Sequence, residues 1–171
     1  SATVTIDHSV TVNSAVSNAP NLITINASKA LTFGANGSLT VSTVTNNGTL
    51  SWSGAGTLTI AASGTLTNNA TFTRGSGTVN FTGAGTVNGS GAITFNNLNI
   101  NSGTVTLSTV PTIDGTLTIN GGNLSAAPIY SSNSTLLYAI SYNRYNEWNA
   151  NGIGTIGTTA GYPNHVTINA G

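Results

Sequence analysis

"GTLSWSGAGTLTIAASGTLTNN", residues 48–69, repeats one phrase three times. Each copy opens with glycine, then a hydroxyl residue, an aliphatic, a polar residue and usually an apolar one: "GTLSW" at Gly48, "GTLTI" at Gly56, "GTLTN" at Gly64. Leu50, Leu58 and Leu66 alternate with Thr and Ser, a period of two that gives a strand one apolar face. β-branched residues sit well on such a pleated surface. The phrase recurs as "GSLTV" at Gly37, "GTVNF" at Gly77, "GTVNG" at Gly85, "GAITF" at Gly91, "GTVTL" at Gly103 and "GTLTI" at Gly115. Glycine is expected at the corner before each strand, where φ turns positive. The Asn pairs at 46–47, 68–69 and 96–97 mark further corners, and helix caps with a 3.6-residue period are missing from the sequence.

Short strands at regular spacing suit a sandwich, a barrel or a solenoid. Like-on-like stacking of Val, Leu and Ile favours the solenoid, with two or three such units making a coil of roughly 20–25 residues. The expected fold is all-β: a right-handed parallel β-helix of about seven coils. Asn over Asn at the corners would form amide ladders. Phe33, Trp52, Phe72, Phe81 and Phe95 fall at strand ends and read as core fillers near one corner.

Composition narrows the function. Only 4% of the 171 residues are charged, three basic against three acidic, where about 25% is usual. With Lys29, Arg74 and Arg144 as its only cations, the chain is not expected to bind nucleic acid. No apolar run approaches the roughly 20 residues of a membrane-spanning helix, so no membrane insertion is expected. Cys and Met are both absent, which excludes disulfides and thiolate metal sites and suits an oxidising exterior. An extracellular or cell-surface location is expected. No signal segment precedes the strand-like sequence after Ser1, as in a processed chain or an excised segment.

Three regions follow: solenoid coils over 1–124, an irregular aromatic-rich segment over 125–164 that packs on or caps the solenoid, and a terminal strand over 165–171. The middle region contains all five tyrosines and the run "YNRYNEWN" at 142–149. Tyr142, Arg144, Tyr145, Glu147, Trp148 and Tyr162 form the candidate junction cluster, since such rings bury large area and keep a polar tip. Arg144 and Glu147, three apart, are placed to pair, with Arg144 stacked on a ring. Asp114 reads as ordinary Asp-Gly turn chemistry. Val166-Thr167-Ile168-Asn169 nearly repeats Val4-Thr5-Ile6-Asp7. With no capping helix and almost no charge at either end, these two strands are the candidate interface for head-to-tail assembly.

The run "STLLY…YNRYNEWNA…GYPNHVTIN", preceded by "GAITFNNLNINSGTVTLS…GTLTINGGNL", resembles repeat units of large secreted bacterial surface proteins of the type nine secretion kind. The likeness covers roughly residues 90 to 171. It implies a β-helical, adhesin-like stalk, a role in structure or attachment, and no assigned enzymatic activity.

The residues themselves point the same way. Glycoside cleavage needs two carboxylates at a set separation, and Asp7, Asp114 and Glu147 lie far apart in sequence. His8 and His165, with Asp7, are too few for an expected metal site, and no cofactor motif is present. The expected function is a structural subunit or repeat of a surface filament or adhesive stalk, with no catalysis. The alternatives are a module binding surface glycans through the aromatic cluster, or one binding ice through outward T-x-T rows, whose spacing wanders in the sequence.

Overall fold

The computed structural model describes residues 2–17, 20–149 and 153–169. Residues 151–152 of the Gly-rich loop and 170–171 of the expected terminal strand lie outside the described residues. The strands are β1 Thr3–Ile6, β2 Val10–Val12, β3 Leu22–Ile25, β4 Ala30–Phe33, β5 Ser38–Asn46, β6 Thr49–Trp52, β7 Thr57–Asn68, β8 Thr71–Thr73 and β9 Thr78–Phe81. They continue with β10 Gly85–Asn88, β11 Thr94–Ile100, β12 Gly103–Leu107, β13 Thr112–Ile119, β14 Gly122–Leu124, β15 Ile129–Tyr130, β16 Thr135–Tyr138 and β17 His165–Ile168. Among the described residues no helix occurs.

Every strand ladder is parallel, and the chain winds as a β-solenoid of about seven coils. Each coil has three faces. The first stacks β1, β3, the second halves of β5 and β7, β10, β12 and β14. The second is the sheet β2-β4-β6-β8, continued at the same place in later coils by the starts of β11 and β13 and by β15. The third stacks the first halves of β5 and β7, β9, the ends of β11 and β13, β16 and β17.

Register places aliphatic over aliphatic. On the first face Ile23, Val44, Leu66, Val87 and Leu107 pair in succession, all buried. On the second, Phe33, Trp52, Phe72 and Phe95 pack in a row with centroids 5.3, 5.2 and 5.5 Å apart, the first pair stacked, the second tilted and the last edge to face. Phe81 instead lines the third face, over Ile60 and under Ile100. Each such buried side chain contributes about 1.5–3 kcal/mol.

Two of the three Asn pairs form the expected amide ladder; at the third, Asn96 Oδ1 accepts from Arg74 Nη1 and Asn97 Oδ1 from the Thr116 N–H instead. Asn46 and Asn68 are fully buried, and Asn46 Nδ2 donates to Asn68 Oδ1 at 2.6 Å and to the Thr71 carbonyl at 2.7 Å. Asn68 Nδ2 donates to the carbonyls of Ala70 (3.1 Å) and Ala92 (3.0 Å). Outside it, Asn69 Nδ2 donates to Asn47 Oδ1 at 2.9 Å.

Two expectations are corrected. Of the glycines that open the repeated phrase, only Gly103 has a positive φ. The others are required for space, because a Cβ on each would lie closer than 3.0 Å to atoms already packed at the corner; at Gly77 it would overlap the Trp52 indole. Asp114 and Gly115 are not a turn but lie within β13, where it bends from the second face to the third. Asp114 forms a salt bridge with Arg74, accepts a hydrogen bond from Ser131 Oγ, and so joins a polar staple with Asn96, which accepts from Arg74 Nη1 at 3.1 Å.

The coils also run past residue 124. β15 and β16 keep the alternation after the glycine phrase has gone, with Tyr130, Leu136 and Tyr138 turned inward. The irregular part is therefore the shorter span 139–164. It lengthens the last step on the third face to Thr135↔His165, against Thr116↔Thr135 one coil earlier.

Candidate functional site

The segments 139–149 and 153–164 lie over the C-terminal end of the solenoid and are tied to it through backbone. Gly161 N–H donates to the Pro128 carbonyl (2.8 Å), Gly157 N–H to Tyr130 (2.7 Å), and Asn149 N–H to Gly161 (2.8 Å). Asn146 Nδ2 donates to the carbonyls of Leu124 (3.2 Å) and Ser125 (2.9 Å), closing the first face, and Asn164 Nδ2 donates to Ser132 (2.6 Å). An antiparallel bridge joins Ile129 to Ala160. Together they are a cap.

Glu147 is the cap's keystone. It is fully buried, and its Oε1 accepts the Tyr138 hydroxyl at 2.8 Å and the Tyr145 N–H at 2.9 Å. The Glu147 carbonyl accepts the Tyr130 hydroxyl at 2.7 Å. Tyr138, Tyr142 and Tyr145 stack outward from this point, at 5.7 and 5.6 Å. Burial raises the pKa of Tyr130, Tyr138 and Tyr142 well above the usual phenol value, and the Glu147 carboxylate adds to it.

The structure corrects the expected Arg144–Glu147 pair. Arg144 Nη1 donates to the carbonyls of Tyr145 (3.2 Å) and Trp148, holding the loop from outside, while the carboxylate turns inward to Tyr138. Tyr130 and Tyr138 were missing from the candidate cluster although they are its inner half; their place at the ends of the strand phrases "PIY" and "TLLY" is the signal that marks them as inward-facing. Tyr162 packs against Gly154 in the cap, and its hydroxyl, like that of Tyr142 and Glu147 Oε2, is buried without a hydrogen-bond partner in the protein.

Two concavities flank Arg144 and Trp148. One, of about 580 Å³, is lined by Tyr138, Ile140, Tyr142, Arg144, Trp148 and Ile168; the other, of about 370 Å³, lies against Ala126 and Ala127 with Tyr145 and Asn146.

The remaining candidate residues separate. Val4, Thr5, Ile6 and Asp7 belong to the first coil, where β1 has β3 as its strand neighbour and Asp7 accepts a hydrogen bond from Asn26 Nδ2. Val166, Thr167 and Ile168 lie in β17 and Asn169 follows it, at the opposite end and on the third face rather than the first. His8 and His165 are likewise at opposite ends, and among the described residues no group of three His, Cys, Asp or Glu side chains gathers to hold a metal. No helix of the described chain is long and apolar enough to cross a membrane.

Exposed large apolar side chains are confined almost wholly to the two ends. Val4, Val10 and Val16 lie in the first coil, and Ile140, Tyr145, Trp148, Ile153, Ile156 and Ile168 in the cap and β17. Among the described residues Val110 alone lies between. Compared with protein-family models, characterised proteins and solved structures, the chain matches none.

Proposed function

We propose that the chain is an extracellular structural unit, one β-solenoid segment of a surface filament or adhesive stalk, adjoined at both ends by further coils. The neighbour is a second copy or more of the same polypeptide. The observation that carries this reading is the confinement of exposed apolar side chains to the ends, where β1 and β17 also lie at the margins of their sheets. Unpaired sheet margins template further strands, and two unlike ends make a contact that propagates instead of closing. Zero net charge leaves little repulsion to oppose it. The resemblance of residues 90 to 171 to repeats of secreted surface proteins supports the location.

Sedimentation velocity and electron microscopy of the purified chain test the reading. Concentration-dependent linear oligomers are expected, abolished by Val10→Lys or Ile168→Lys and unaffected by Val110→Lys. A strictly monomeric chain across a wide concentration range overturns self-assembly. A second reading, glycan binding, is favoured by the concavities beside Trp148 and Arg144; it requires a glycan-array signal lost on Trp148→Ala.

A further inference from the structure

The first face carries an array that the sequence spacing conceals. Its outward residues align coil by coil as Thr3–Leu22–Thr43–Thr65–Thr86–Thr106 in one column. The second column, two residues along each strand, runs Thr5–Thr24–Thr45–Thr67–Asn88. Coil lengths vary from 19 to 22 residues along these columns, but the corners absorb the difference and the face keeps register.

The geometry fixes the lattice. Hydrogen-bonded coils stand about 4.7–4.9 Å apart, and alternate residues of one strand about 6.6 Å apart. Threonine is restricted at χ1, so each site offers a methyl and a hydroxyl with little rotamer freedom to lose. The face is thus a flat two-dimensional grid of like groups, the kind of array that can order a water layer.

The hydroxyls are also unspent. None of these threonine side chains makes a hydrogen bond within the protein, whereas on the second face Thr32 and Ser51 bond each other at 2.9 Å. None of the six charged residues falls in either column, so nothing imposes a strongly bound, disordered hydration shell. The third face lacks this continuity: Asn97, Asn99, Leu137 and His165 interrupt its threonines.

We infer that the first face is an ice-binding surface, ordering water between its methyl groups and anchoring it through its hydroxyls. The inference is independent of end-to-end assembly, since the array lies along the flank. Thermal hysteresis and inhibition of ice recrystallisation by the purified chain test it. Thr45→Tyr, at the centre of the array, is expected to remove most of the activity, while Thr118→Tyr on the third face leaves it unchanged. Circular dichroism verifies each fold, and Thr65→Lys replaces Thr45→Tyr under the same criterion should the latter misfold. An inactive wild-type chain, a fully active first-face variant, or equal loss from Thr118→Tyr would each overturn the assignment.

Discussion

Replacing Asn68 by alanine tests what holds the corners together. The side chain is fully buried and takes part in three hydrogen bonds: it accepts from Asn46 Nδ2 and donates to the carbonyls of Ala70 and Ala92. Each is worth about 0.5–1.5 kcal/mol net, and a buried group left unpaired costs about 1–3 kcal/mol. The loss is therefore about 3–5 kcal/mol, a large share of the roughly 5–15 kcal/mol that stabilises a domain. For a chain of this size each kcal/mol moves Tm by about 2–4 °C, so Asn68→Ala should melt roughly 6–20 °C below the wild type. Asn69→Ala is the control. Its neighbour-to-neighbour bond to Asn47 is solvent-exposed, and removing it should cost less than about 1 kcal/mol. Thermal and urea unfolding of the two variants decide the matter. Equal destabilisation, or an Asn68→Ala effect under about 1 kcal/mol, would refute the claim that buried amide pairing, rather than aliphatic stacking alone, sets the corner.

Gly77→Ala should cost about 1–3 kcal/mol by overpacking, with a shift in tryptophan emission because the new methyl displaces Trp52. Glu147→Ala should release the cap, raising hydrogen exchange across 139–164 while the coils stay protected; Glu147→Gln, which keeps an acceptor for Tyr138 and Tyr145, should restore much of that protection. Tyr130, Tyr138 and Tyr142 have folded pKa values raised above the unfolded value near 10, so their contribution is complete below pH 10 and is lost as pH rises beyond it. Phenolate absorbance and cap exchange should accordingly rise together in alkali, and early ionisation of these three with an intact cap would contradict the arrangement.

The solenoid was legible because its repeat is written twice over, in the period of two and in the glycine that opens each strand. The corners were legible in part. The Asn pairs announced ladders, but the glycines were read as conformational when the need is for space, a property of the neighbouring coil that no local window contains. Asp114 failed for the same reason: its partners Arg74 and Ser131 are one to two coils away. At the cap, aromatic density named the right segment, yet the Arg144–Glu147 spacing suggested a pair that burial forbids. A carboxylate drawn into the end of the core takes Tyr138 and a backbone N–H on one oxygen, while the more exposed guanidinium serves carbonyls. The first-face threonine columns were hidden by corner loops of unequal length, and only register reveals them.

The distribution of polarity disfavours sideways association of so neutral a chain. With few charges to repel a neighbour, its flanks must compete for contact through hydroxyls and amides, which water satisfies as well as another copy does. Apolar attraction is left at the ends, and there the two surfaces differ. The first coil offers strand margins and valines, whereas the far end offers β17 beside a cap built from tyrosines around Glu147. Unlike ends favour addition along the axis, while the cap, tied over the first and second faces, leaves β17 on the third face as the strand margin that the proposed neighbour would meet. On the proposed reading the cap therefore covers the sheet edge on two of the three faces, the part that charge or proline commonly plays at a sheet edge.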